Sequence, residues 1–323
     1  MEAIEVKKQK RKSGRLNNQW EGYLYVGIPL LGFALFSLVP AVISLVVSFG
    51  DMVGYNLDTF EFVGFQNFTE AITDHNFWHA LGISFYATVS QVLSLIIAVI
   101  VAVFLNRDVK GSKFLSVLYF IPYICSSVAT SLMWRRMFNP DYGVINALLR
   151  GIFGERYGEI LFGIEPIGGV YLDVNWFNEP TLFMPMLIVI MTWSAAGYGI
   201  VVLGAALVSV DSTLYEAAEM DGAGSVRQFF SVTFPQITPT VYFLLMLGLI
   251  NGLQTFDIAM IFVGDAWSGY GPDNMGMTLM LYIYKQSPLN MPYASVMSWL
   301  LFLVIFAVQK LNGWLSKRWV FNG

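Results

Sequence analysis

Six stretches of the chain run for roughly 20 residues without Asp, Glu, Lys or Arg, at approximately 23–49, 79–105, 114–134, 182–208, 236–256 and 293–309. A helix of about that length crosses the ~30 Å hydrocarbon layer of a bilayer. Runs such as Val92–Leu105 and Leu300–Val308 are apolar on all sides, whereas transmembrane strands alternate in segments of about 10 residues. The pattern therefore predicts an all-α membrane protein with six transmembrane helices. The first stretch is too long for a cleavable signal peptide, and no small-residue cleavage site closes it. Pro29 and Pro40 within it predict kinks, because neighbouring groups can satisfy the freed backbone.

Composition agrees: 56% of the 323 residues are hydrophobic and 12% charged, about half the charged share of a soluble protein. So apolar a chain is not disordered. Its net charge of −4 supplies no basic field for phosphates, so no nucleic-acid partner is expected. A single cysteine excludes an internal disulfide framework.

The few charges sort by side. Lys7, Lys8, Lys10, Arg11, Lys12 and Arg15 precede the first span, Arg107, Lys110 and Lys113 follow the second, and Lys317 and Arg318 follow the sixth. The alternate segments carry no Lys or Arg over 50–78, and only Arg150 and Arg156 over 139–181. The positive-inside rule then places both termini in the cytoplasm. The expected organisation is a basic cytoplasmic segment 1–22, a transmembrane domain 23–316 and a cytoplasmic tail 317–323. The external segments are acidic, with Asp51, Asp58, Glu61, Glu70 and Asp74 in one and Asp141, Glu155, Glu159, Glu165, Asp173 and Glu179 in the other. Asn139–Gly143 reads as a turn, followed by a short surface helix over Val144–Phe153.

The polar cytoplasmic segment 211–235 reads as helix, turn, helix. Leu214–Met220 favours helix, and Gly222 and Gly224 end it. Ser225 with Gln228 suggests a capping box for a second helix, which Pro235 should stop. Such a hairpin, presenting Val226, Phe229 and Phe230, suits a groove on a partner protein or a seat on its own bundle. Composition leaves both readings open.

The spacing Glu216-Ala217-Ala218, three residues, Gly222, nine residues, then Val232-Thr233-Phe234-Pro235 resembles the EAA loop of ATP-binding-cassette (ABC) importer permeases, and Asp221-Gly222-Ala223 matches its core. Val232 and Phe234 stand where Ile and Leu are usual. From about residue 20 onward the chain resembles the carbohydrate-uptake permeases of maltose-transporter type. The matching residues include Val63–Phe68, Trp134 and Phe138, Gly143–Asn146, Trp176–Pro180, Phe256-Asp257 and Tyr282–Tyr284. An insertion near 151–173 and a longer segment Gly264–Pro272 depart from the family pattern.

The resemblance implies a type I ABC importer permease in a bacterial inner membrane. It implies a second, different permease subunit, two ABC ATPase subunits and an external solute-binding protein. Glu216, Ala217, Ala218, Asp221, Gly222, Ala223, Phe229, Phe230 and Pro235 would form the coupling element. No cofactor is expected on this chain, which lacks a phosphate-cradling Gly-x-x-x-x-Gly-Lys-Ser/Thr stretch; ATP and Mg²⁺ would belong to the ATPases, and the chain would not itself be an enzyme.

Polar groups at membrane depth are costly and point to function or to packing hydrogen bonds. Asn251, Gln254 and Asp257 fall at i, i+3 and i+6 of the fifth span, and Tyr198 follows Trp193 on the fourth. Alignment outward from the EAA loop places Tyr198, Leu253 and Gln254 at sugar-contacting positions of the maltose-type permease. Arg135 and Arg136, at the outer end of the third span, could grip an anionic sugar or pair with loop acids and lipid head groups. His75 and His79 lack the company a zinc site needs, so no metal is expected. Cys125 reads as a small packing residue. The leading expectation is import of a sugar or oligosaccharide. The alternatives are import of a sugar phosphate, glycerol phosphate or acidic oligosaccharide, and a membrane enzyme, for which no catalytic constellation is visible.

Overall fold

The computed structural model describes residues 19–321 apart from 53, 107–109, 167, 168, 170 and 265–268. The basic residues 7–15 and Arg107, which carry much of the topology argument, lie outside the described residues.

The first span comprises α1 (Gln19–Phe33), a π-helical turn (Ala34–Leu38) and α2 (Val39–Val47). Pro29 sits inside α1 without ending it. The adjustment comes just before Pro40, where the Val39 amide donates to the Ala34 carbonyl five residues back. A proline ring crowds the carbonyl four residues earlier, and a wider turn relieves that clash. A ladder of two-residue strands, β1 (Gly50–Asp51) and β2 (Glu61–Phe62), closes the following loop. Asn67, on α3 (Gln66–Thr73), donates its side-chain amide to the carbonyls of Ser48 and Gly50.

The bundle is built around α4 (His75–Leu105) and α9 (Pro180–Val208). Their contact runs past Ala98 and Gly199, and Thr192 donates to the Ser90 carbonyl at 3.2 Å. Small residues let helices approach closely where lipid supplies no hydrophobic drive. The fifth span, α12 (Phe234–Leu253), lies against α4 at Gly252, where a Cβ would come within 2.7 Å of Thr88. The last span is α15 (Met291–Ser316). Three apolar clusters follow one another along α4: its C-terminal half with Ile200, Leu203 and Ile237, its middle with Phe183, Met184 and Leu187, and its start with Leu279, Val296 and Met297.

Two spans depart from the straight helices the charge pattern suggests. The third is α5 (Ser112–Ile124) and α6 (Ser127–Met137), bent by 96° where Cys125 adopts an extended backbone. The fifth ends at Leu253 rather than 256, and a new helix, α13 (Asp257–Val263), follows an irregular Gln254–Phe256. Asp257 therefore does not share a helix with Asn251, as the i, i+3, i+6 spacing had suggested. Between the third and fourth spans lie the helices α7 (Val144–Phe153) and α8 (Tyr157–Phe162), as expected of a structured loop, and the expected turn forms, the Gly143 amide donating to the Asn139 carbonyl.

The hairpin of 211–235 forms with two corrections. Its first helix is α10 (Ser212–Met220), capped by the Asp211 carboxylate on the Thr213 amide. Its second, α11 (Ser225–Gln228), passes through a π-helical turn (Phe229–Thr233) directly into α12. Pro235 does not stop the helix: it sits in the first turn of α12, and the wide turn absorbs its ring as the earlier one does for Pro40. The capping box is absent too. Gly224 is the N-cap, and Gln228 instead donates to the Ala223 carbonyl at 3.0 Å. One further helix, α14 (Leu279–Gln286), precedes the last span.

Candidate functional site

The breaks in the third and fifth spans face each other. Cys125 and Ser126 end one helix and Gln254–Phe256 the other, and the Ser127 hydroxyl donates to the Asp257 carboxylate at 2.8 Å between them. Irregular backbone at membrane depth is tolerated where it lines a protein-walled or water-filled cavity. Such a cavity is present, about 350 Å³, walled by Gln91, Tyr123, Ser127, Ser194, Asn251, Gln254 and Asp257 among others. A second, of about 290 Å³, shares Gln91, Tyr123, Ala195 and Asn251 with it and extends toward Tyr198. Together they form one cleft rich in hydroxyls and amides. No Lys, Arg or His lines either part among the described residues. Asp257, the first residue of α13, adds a negative charge where the helix dipole favours one.

Aromatic rings make up another wall. Tyr123 stacks on Tyr198 with centroids 4.9 Å apart and planes at 24°, and on Phe120 at 5.7 Å. Amides offer donors and acceptors together, and ring faces suit flat C–H surfaces. The cleft can thus hold a neutral, hydroxyl-rich solute.

Of the residues singled out from sequence, Tyr198, Asn251, Gln254 and Asp257 come together here. Two do not. Leu253 is 1% exposed, packed in the cluster of Phe77, Tyr282 and Val296, because the helix turns it away from Asn251 and Gln254. Trp193 faces a separate apolar groove of about 640 Å³ with Tyr119, Pro122 and Thr192, its ring edge-to-face with Trp134 at 5.3 Å. Arg135 and Arg136 sit exposed on the last turn of α6, line neither part of the cleft and make no ion pair among the described residues. Gln91, Tyr123 and Ser127 were missed. Gln91 carried a signal, being the one side-chain amide in the stretch 79–105. Tyr123 and Ser127 did not, since the bend that exposes them is invisible in a charge-free run.

In the hairpin, Gly222 adopts φ +73°, and the Ala223 amide closes on the Ala218 carbonyl, a helix end that requires left-handed backbone. The Tyr215 and Thr233 hydroxyls lie 2.9 Å apart, joining α10 to the π-helical turn. Glu216, Ala217 and Asp221 are exposed, Ala218 and Ala223 half-buried. Val226 and Phe230 are 73% and 66% exposed, whereas Phe229 is half-buried against Phe230 and Phe234. The Thr213 amide and hydroxyl hold the Asp211 carboxyl below its ordinary pKa.

On the opposite side, the Tyr282 and Tyr293 hydroxyls both donate to Asp74, at 2.8 and 2.6 Å. Burial opposes the charge on Asp74, but bonds from Tyr293, the Asn76 amide and Tyr282 outweigh it and lower the pKa. Burial, then the charged Asp74, push the Tyr282 phenol up. Several residues behind the family resemblance thus do structural work: Trp176 donates to Asn146 at 2.7 Å, and Phe256 packs on Tyr284.

The family described as "Binding-protein-dependent transport system inner membrane component" matches residues 94–320. The chain is 31% identical over 319 residues to the Probable ABC transporter permease protein YesP of Bacillus subtilis, covering 97% of this chain and 95% of that protein. It is 31% identical over 303 residues to the lactose transport system permease protein LacF of Rhizobium radiobacter, covering 92% and 94%. Among solved structures, a chain of a bacterial ABC transporter involved in the import of the acidic polysaccharide alginate superposes with TM-score 0.76 at 21% identity, covering 93% and 96%. With five long apolar spans and the bent α5–α6 pair among the described residues, this multi-pass membrane protein belongs to the binding-protein-dependent transport system inner membrane components, the permease subunits of type I ABC importers.

Proposed function

We propose that the chain forms half of a translocation path for a sugar or oligosaccharide, paired with a second, different permease and driven by two ABC ATPases that bind ATP and Mg²⁺. A solute-binding protein delivers the sugar at the acidic external face, and both termini lie in the cytoplasm. The observation that carries this reading is the cleft between the two broken spans, with its stacked tyrosines and amide donors and no cationic group among the described residues. The names of the relatives support it, LacF as a lactose permease and others as permeases for multiple sugars and arabinooligosaccharides.

Coupling falls to the hairpin α10–α11, with Glu216–Ala218, Asp221–Ala223 and the exposed Val226 and Phe230 seated in a groove of one ATPase. Because α11 continues through the π-helical turn into α12, ATPase closure would move the cleft wall carrying Asn251 and Gln254 as one rigid body. The test is ATP-dependent uptake by proteoliposomes holding the assembled transporter and its binding protein. Labelled neutral oligosaccharides should accumulate; accumulation of glycerol phosphate or amino acids instead would overturn the substrate class.

A further inference from the structure

The external helix α7 has one side bonded and one side bare. Asn146 donates to the Val174 carbonyl at 3.0 Å and accepts from Trp176, and Arg150 pairs with Asp173. At 3.6 residues per turn Asn146 and Arg150 share one side of the helix, and Val144, Leu148 and Ile152 share the other. Those three apolar side chains are 53%, 55% and 71% exposed. Ile145 and Leu149, beside the stripe, pack on the cluster containing Phe183, Met184 and Leu187. That cluster includes the first turns of α9, so α7 lies at the level where this span begins.

Depth and orientation follow. Asn146 is 1% exposed and bonds into the buried Val174–Trp176 segment, so that side of α7 faces the protein and the bare stripe faces outward from it, at the level where α9 begins. Tyr142 and Phe153, 68% and 44% exposed, flank the helix as aromatic residues do at the head-group level. At 10 residues, α7 is too short to cross a bilayer. We propose that α7 is an interfacial helix whose Val144–Leu148–Ile152 stripe rests among phospholipid acyl chains at the membrane boundary, holding the external insertion against the bilayer.

The test uses the full transporter, with its partner subunits, in phosphatidylethanolamine–phosphatidylglycerol nanodiscs. In a Cys125→Ser background, Leu148→Cys and Ile152→Cys carry an environment-sensitive fluorophore, with Glu155→Cys as the aqueous reference. Lipids brominated along the acyl chain should quench the labels at 148 and 152, and aqueous iodide should quench only that at 155. Iodide quenching at 148 and 152 without bromolipid quenching would overturn the proposal by placing the stripe in water. Protection from both quenchers would overturn it by assigning the stripe to a protein neighbour.

Discussion

Ser127 donates its hydroxyl to Asp257 across 2.8 Å, joining the helix that follows the break in the third span to the helix that follows the break in the fifth. The two residues are 130 positions apart, and their bond fixes how the cleft walls meet. A hydrogen bond to a charged acceptor contributes about 1.5–3 kcal/mol when shielded and less where, as here, both groups are exposed. Ser127→Ala should therefore cost about 1 kcal/mol, seen as a lowered Tm of the purified transporter, while Ser127→Thr should retain it. An equal loss in both variants would assign the effect to packing.

Gln91 and Gln254 wall the cleft from two spans without belonging to the buried core. Truncating either to Ala should raise KM for uptake about tenfold, the equivalent of ~1.4 kcal/mol, with assembly unchanged. Leu253→Met is the control: its side chain lies in the core, so uptake kinetics should follow the wild type.

The proposed coupling role of the hairpin can be tested apart from folding. Gly222→Asp places a side chain at φ +73°, costing about 1 kcal/mol locally, and Glu216→Lys reverses an exposed charge. Each variant should insert and pair with its partner permease yet lose uptake and substrate-stimulated ATP hydrolysis. Normal coupling in both would remove the hairpin from that role.

Gly252 meets Thr88 where no Cβ fits. Gly252→Ala should cost about 1–3 kcal/mol, because the α4–α12 contact must open. Adding Thr88→Ser should not restore the Tm, because the Thr88 Cα, Oγ1 and Cβ, 2.7–2.9 Å from such a Cβ, all remain in place.

Asp74 supplies the pH dependence. Its folded pKa lies below the ordinary carboxylate value, so its contribution is fully present above about pH 4 and is lost as pH falls through the lowered pKa. The Tm difference between wild type and Asp74→Ala should be flat from neutral to mildly acidic pH and shrink only in strong acid. A difference that shrinks already near pH 6 would contradict the two-tyrosine clamp.

Span number and the hairpin were legible because both rest on local signals: missing charge over a membrane thickness, and glycine and alanine at fixed spacing. The breaks at Cys125 and Gln254 were not. Their freed backbone groups are tolerated by a cavity that forms only when distant segments meet, so the run 114–134 reads as uninterrupted helix. Pro235 misled for a related reason, since a π-helical turn accommodates its ring without ending the helix. Within the cleft, Asn251 and Gln254 were identified by cost, as amides in hydrocarbon. Leu253 came from alignment and Trp193 from its place near Tyr198 on the fourth span, and neither says which way a helix faces.

The most direct test of the substrate path uses the chain's single cysteine, Cys125, which is exposed on the cleft wall. In the assembled transporter, maleimide modification of Cys125 is followed by mass spectrometry of this subunit with binding protein, ATP and either a transported or a non-transported sugar. Occupancy of the cleft should slow modification with the transported sugar alone. Equal rates with both sugars, under conditions where uptake proceeds, would contradict a path through this cleft.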